Sequence, residues 1–284
     1  MRTSLKLFLF LMVFLATGTM SYAGYCFYSI YQEDKQAAAV YQDLATNYHK
    51  EVEVVEEVKS TMSEEDIAIN IAYNKEKEEF IKKWQGTNYN AFKRINDDYV
   101  CTIEIPQINI SYPVVSNSEK DAEYYLTHTF DKSKNSAGTI FLDYLFEQNL
   151  NYNHLILFGH NMKNQSMFGG LSTFLDTDLV QPIYIYMYNE DMLNIYQLYS
   201  VYNAETGSET YTAFFNDKEH YKDYFIMSLE NATGSINDID KINTLVDKGN
   251  QILTLSTCYG TKHKEYTIWQ CINVERIEYD EENS

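Results

Sequence analysis

The stretch Gln251-Ile252-Leu253-Thr254-Leu255-Ser256-Thr257-Cys258-Tyr259-Gly260 decides how the rest of the chain is read. It is an apolar run rich in β-formers. Lys248, Gly249 and Asn250 precede it, and a turn through Tyr259, Gly260 and Thr261 follows, so it reads as a buried strand. Cys258 therefore stands at a strand's end, facing a loop. A scaffold holds a nucleophile rigidly there while leaving its sulfur reachable, and the thiolate is the reactive form. A thiolate needs a base. The segment from His154 to His160 (His-Leu-Ile-Leu-Phe-Gly-His) is a second short apolar strand, ending at Gly159 and His160 before the polar Asn161, Met162, Lys163 and Asn164. One Cys and one His, each at a strand end, form the minimal pair for thiol acyl transfer.

Outward from these two strands the pattern stays short. Val100, Thr102 and Glu104 alternate with Cys101, Ile103 and Ile105; Pro106 breaks the run, and Ile108, Ile110 and Tyr112 resume it until Pro113. Further strands are predicted at Thr139 to Leu142, Ile183 to Tyr188 and Asn194 to Tyr202. This spacing predicts a mainly β fold, a barrel or sandwich with helical inserts. Ser166 to Phe174 reads as a helix directly after the histidine loop. Asn216 to Met227 reads as an amphipathic helix with an Asn or Asp cap, and Asp238 to Val246 as a second helical segment.

The N-terminal third differs. After Arg2 and Lys6, residues run without a charge from Leu7 to Tyr31, long enough to cross a bilayer of about 30 Å as a helix of about 20 residues. Basic residues before it and Glu33 and Asp34 after it predict an N-inside, single-pass anchor over 1–31, with Tyr25, Tyr28 and Tyr31 as an aromatic belt. Cleavage near Ser21-Tyr22-Ala23 is the rival reading; the apolar run continues past that site, which favours an uncleaved anchor. Residues 32–94 hold no proline and one glycine, Gly86. Ala37, Ala38, Val40, Tyr41, Leu44, Val52, Val55 and Val58 fall at helical steps, and Ser63-Glu64-Glu65-Asp66 starts a second helix leading to Ile67, Ile71, Phe80 and Trp84. This is a helical acidic stalk before a catalytic domain over 95–284.

Composition sets limits. With 284 residues, 45% of them hydrophobic, the chain can bury one large core. Its 22 Lys and Arg against 41 Asp and Glu leave a net charge of −19, which disfavours a nucleic-acid partner. Of the four cysteines, Cys26 lies in the anchor and Cys101 and Cys271 in apolar strand patterns, with no disulfide framework in their spacing. Cys258 with His263 is the one pair near zinc-ligand spacing. No cofactor is expected. His49, His128, His154, His220 and His263 are scattered and read as structural.

The string Thr254-Leu255-Ser256-Thr257-Cys258 resembles the signature of sortases, the cysteine transpeptidases of Gram-positive cell surfaces, and Gly159-His160-Asn161-Met162 resembles their histidine motif. Tyr112-Pro113-Val114-Val115, Tyr125-Leu126-Thr127-His128 and Ala137-Gly138-Thr139-Ile140-Phe141-Leu142-Asp143 resemble class B sortases in the expected order, over roughly residues 95–279. The resemblance implies a sortase-like β-barrel. In it Cys258 would attack a threonine carbonyl of a sorting peptide in a secreted protein and hold the acyl group as a thioester. His160 would protonate the leaving amine and deprotonate the incoming one, an amine of peptidoglycan or of a pilin subunit. It also implies membrane tethering with the catalytic domain outside, and that the helix before the cysteine strand walls the substrate groove.

In one respect the chain departs from the family. Class B sortases usually carry an arginine early in the strand after the cysteine, placed to hydrogen-bond the developing oxyanion. This chain has three arginines, Arg2, Arg94 and Arg276. Alignment on Val274 to Ile277 puts Gln270 at that place and a gapped alternative puts Thr267 there, with Arg276 roughly 20 Å further along an extended strand. The expectation is an active enzyme with a substituted donor: Gln270, a backbone amide, or Lys262 or Lys264. The alternative is a catalytically weak or silent surface module that binds peptides.

Overall fold

The computed structural model describes residues 2–47, 64–116, 121–234, 238–259 and 265–279, with side chains over 22–44, 68–116, 121–234, 238–257 and 265–279. Eight strands form its centre: β1 (Tyr99–Ile105), β2 (Ile110–Ser116), β3 (Ile140–Leu142), β4 (His154–Gly159), β5 (Tyr184–Tyr188), β6 (Met192–Glu205), β7 (Ile252–Tyr259) and β8 (Glu265–Glu278). They close into a barrel in the order β1-β2-β3-β4-β7-β8-β6-β5, with β5 pairing back to β1. Of the two readings the strand spacing left open, the barrel is the one observed, and closure leaves no sheet edge unpaired. The pairs β2–β3 and β4–β7 are parallel; the others are antiparallel.

Strand β7 is buried on both faces from Ile252 to Thr257. Leu253 and Leu255 join the barrel interior with Trp269 and Cys271 of β8. Ile252 belongs instead to an outer cluster with Ile272, where Tyr221, Tyr224 and Phe225 of α4 (Lys218–Glu230) and Ile242 and Val246 of α5 (Ile239–Lys248) cover the sheet. Beyond Ile252 that outer face is polar, and its buried hydroxyls are partnered: Thr254 donates to Gln270 at 2.9 Å and Ser256 meets the Tyr211 hydroxyl at 3.0 Å. Helix α4 starts two residues after the expected Asn216, because Asp217 is the cap, its carboxylate accepting from the His220 amide at 2.8 Å.

Two expectations are corrected. Strand β2 continues through Pro113 to Ser116, since Pro113 pairs with Thr102 and the chain then exchanges partners to lie parallel to β3. The segment after the histidine loop is a 3₁₀ turn over Gly169–Phe174, starting later than Ser166. Gly169 and Gly170 weaken helix formation, and Met167 at φ 53° stands outside helical space.

The N-terminal third forms α1 (Arg2–Asn47), α2 (Glu64–Gly86) and α3 (Tyr89–Ile95). Val52, Val55, Val58 and Ser63 lie outside the described residues. These helices pack on the barrel. Ala37, Tyr41 and Leu44 of α1, Phe80 and Trp84 of α2 and Phe92 of α3 belong to the same buried cluster as the barrel interior. The Tyr41 hydroxyl donates to the Gly138 carbonyl at 2.7 Å, and the Trp84 indole to the Asn189 carbonyl at 2.6 Å. Lys83 reaches the buried Glu104 carboxylate at 2.6 Å, which also accepts from the Tyr188 hydroxyl. Among the described residues no helix is long and apolar enough to cross a membrane.

Candidate active site

Parallel pairing of β4 and β7 brings the two motifs together. The ladder runs from His154 opposite Ile252 to Gly159 opposite Thr257. One position further, His160 follows the end of β4 and Cys258 is the penultimate residue of β7, so the two stand level at the same end of adjacent strands. The Cys258 side chain lies outside the described ones.

Several contacts fix the loop that carries His160. The Phe168 amide donates to the His160 carbonyl at 3.0 Å, and Asn161 bridges Met167 in antiparallel fashion. The Phe168 ring packs on Gly159 so closely that a Cβ there would lie 2.7 Å from it, which is why the residue before the histidine is glycine. The upstream sequence blocks converge on this loop. The Tyr112 hydroxyl accepts from the Met167 amide at 3.2 Å. The Leu126 carbonyl lies 2.7 Å from His160 Nε2. A carbonyl only accepts, so Nε2 carries a proton, and Nδ1 is left as the nitrogen that can exchange one. Leu126 and Tyr112 are parts of the site whose roles sequence reasoning missed, although both lie in quoted blocks.

Beside His160 opens a cleft of about 360 Å³. Phe141 and Phe158, stacked at 5.5 Å, give it an apolar wall. Tyr211, from the connection between β6 and α4, packs on Phe158 at 5.9 Å and meets the Ser256 hydroxyl at 3.0 Å. Tyr266 of β8 lies across from Tyr211, ring to ring at 6.2 Å. Glu123 and Asp143 add acidic groups; burial pushes the Asp143 carboxyl up, against the hydrogen bond it accepts from the Leu145 amide.

The candidate oxyanion donors fare differently from the expectation. Gln270 is fully buried; its amide donates to the Tyr202 and Tyr224 hydroxyls at 3.0 and 2.9 Å, and its carbonyl accepts from Thr254 at 2.9 Å. It also pairs with Thr254, four residues before Cys258, about 13 Å along the strand. Gln270 is therefore a structural residue. Thr267 pairs with Thr257, on the opposite face of the ladder from the Cys258 position, and its hydroxyl donates to Asn203 at 3.3 Å. Arg276 pairs with Glu278 at 3.2 Å, and Arg94 lies in the last turn of α3. Lys262, Lys264 and His263 lie outside the described residues, as does His49.

A closed barrel carrying a histidine and a cysteine level at adjacent strand ends has the layout of a thiol acyl transferase, and comparison with known proteins makes the class specific. A model of the family described as the sortase domain matches residues 103–270. Sortase B of Listeria monocytogenes is 29% identical over 174 residues, 61% of this chain and 68% of that protein. Sortase B of Staphylococcus aureus is 28% identical over 173 residues, 60% of this chain and 67% of that one. The X-ray structure of Clostridium perfringens sortase B matches with a TM-score of 0.56 at 27% identity, covering 66% of this chain and 100% of its own. The chain belongs to the sortase family, whose members are cysteine transpeptidases. Within that family these relatives make it a class B sortase.

Proposed function

We propose that this transpeptidase cleaves a sorting motif in secreted proteins through a thioester on Cys258. In this reading the Cys258 thiolate attacks a threonine carbonyl and the C–N bond breaks. The departing amine takes its proton from His160, which then removes one from an incoming amine of peptidoglycan or of a pilin subunit. The observation that carries the reading is the level placement of His160 and Cys258 beside the cleft. The Leu126 carbonyl supports it by fixing the ring through Nε2, so that proton exchange falls to Nδ1. The apolar wall and the acidic Glu123 and Asp143 suit an extended peptide better than a phosphate-bearing ligand.

The same reading holds the enzyme at the cell membrane by its N-terminal helix, with the barrel outside. Tyr22, Tyr25, Phe27, Tyr28 and Tyr31 are each more than 60% exposed on α1, and an aromatic surface of that kind suits a membrane interface.

The test uses the full chain with fluorogenic peptides bearing threonine before the cleaved bond, followed by Gly, Ala, Ser or Asn, together with an amine acceptor. Mass spectrometry should find a thioester that is absent from Cys258→Ala and a ligated product that needs His160. Peptide binding with no thioester would replace the reading with that of a silent binding module.

A further inference from the structure

The departure in the oxyanion donor has a structural answer. Arg276, Gln270 and Thr267 are each engaged elsewhere or displaced from the reacting end of β7. The residue paired with Cys258 across the β7–β8 ladder is Tyr266. Directly paired residues of an antiparallel ladder share a face, with Cβ atoms about 4.5–5.5 Å apart. That face continues through Ser256 opposite Ile268 and Thr254 opposite Gln270, and at Ser256 it opens on the cleft that His160 also lines. Tyr266 is half-buried there, its ring set edge-on against Tyr211. Its hydroxyl makes no hydrogen bond among the described residues, whereas the Tyr202 and Tyr211 hydroxyls, which pack in the same cluster, are both paired.

Resting on the acyl-transfer reading above, we propose that Tyr266 is a catalytic residue, its phenol the oxyanion donor in place of the family's arginine. When the Cys258 sulfur bonds to the threonine carbonyl carbon, the carbonyl π pair moves onto oxygen, and the Tyr266 hydroxyl donates to that oxygen while keeping its own proton. As the intermediate collapses, the C=O bond re-forms, the C–N bond breaks and the amine leaves with the proton from His160; Tyr266 ends unchanged. A hydroxyl donating to an anionic oxygen forms a short, strong bond, and tyrosine is among the side chains that serve such holes. A phenol also supplies that bond without bringing a second permanent charge beside the thiolate.

The experiment is single-turnover acylation of the full chain by the threonine peptides, comparing wild type with Tyr266→Phe, which keeps the ring and loses only the hydroxyl. The expected result is an acylation rate lower by about 10²- to 10³-fold, with peptide KM and melting temperature unchanged and part of the loss recovered in Tyr266→Arg. A Tyr266→Phe rate within about three-fold of wild type overturns the assignment while leaving the acyl-transfer reading in place. A loss that follows KM and melting temperature instead shows a packing role and also overturns it. Absence of a thioester in wild type overturns the acyl-transfer reading, and this assignment with it.

Discussion

At the scale of single residues, a buried polar network behind β7 determines how the cleft is held. His154 is fully enclosed, its Nδ1 2.7 Å from the Thr212 carbonyl and its Nε2 2.7 Å from the Thr254 hydroxyl. That hydroxyl also lies 2.9 Å from the Gln270 carbonyl oxygen, so one proton faces two acceptors. Loss of solvation pulls the imidazole pKa down from 6.5 to about 4, against the hydrogen bond to Thr212. In the unfolded chain His154 therefore binds a proton at higher pH than in the folded one. Between pH 6.5 and 4 the unfolded state holds the extra proton, so stability falls as pH falls through that window; above it the group contributes no pH dependence. At about 1.4 kcal/mol per unit, the loss attributable to His154 amounts to about 3 kcal/mol at the acid end. Denaturant titrations across this range should show a shallower slope for His154→Asn, whose amide can still reach Thr212. Equal slopes would mean that other groups set the acid limb.

Among the elements, the parallel pair β4–β7 decides whether the site exists, because it alone sets His160 and Cys258 level. Gly159 is the weak point of that pair. A methyl group there would meet the Phe168 ring at 2.7 Å and displace either the ring or the strand end, and misplacing a catalytic group by about 1 Å can cost about 10²-fold in rate. Gly159→Ala should therefore lose kcat/KM by an order of magnitude or more while far-UV circular dichroism stays that of the wild type; unchanged turnover would show that the loop absorbs the methyl. The strands themselves were legible in the sequence, since Val100 to Ile105 and Leu253 to Leu255 carry β-forming residues between turn signals. The cysteine and histidine segments were legible for the same reason. The face of β8 was not. Choosing between Gln270, Thr267 and Tyr266 as the neighbour of Cys258 requires the register across residues 260–264, and a one-residue slip exchanges the two faces. Nor could the sequence show that the Leu126 carbonyl, 34 positions from His160, holds its ring.

Over the whole molecule, the helix that begins as the candidate anchor ends as part of the barrel's core. Helical periodicity marked Ala37, Tyr41 and Leu44 as one face, yet the surface that face meets lies about a hundred residues away, beyond the reach of any local pattern. Below the apolar segment, the Glu33 carbonyl accepts from the Asn135 side chain at 2.9 Å and the Glu33 carboxylate from Ser136 at 2.5 Å. Four residues on, Ala37 is already buried. Chain removed up to residue 31 takes away the exposed aromatics and leaves these contacts intact. Chain removed up to residue 47 exposes Gly138 and Tyr112, the second of which meets Tyr41 edge-on at 4.9 Å. Burying Tyr41 and Leu44 is worth about 1.5–3 kcal/mol each, less the entropy regained when the segment is gone. A net loss of about 3 kcal/mol corresponds to about 6–12 °C in a chain of this size. Melting curves of the two truncations should differ by that much, with the shorter deletion matching the full chain, and peptide turnover should weaken in the longer one because Tyr112 also holds the Met167 end of the histidine loop. Coincident melting curves would mean that α1 is a dispensable strap and that the barrel's stability lies wholly within the strands, α2 and α3.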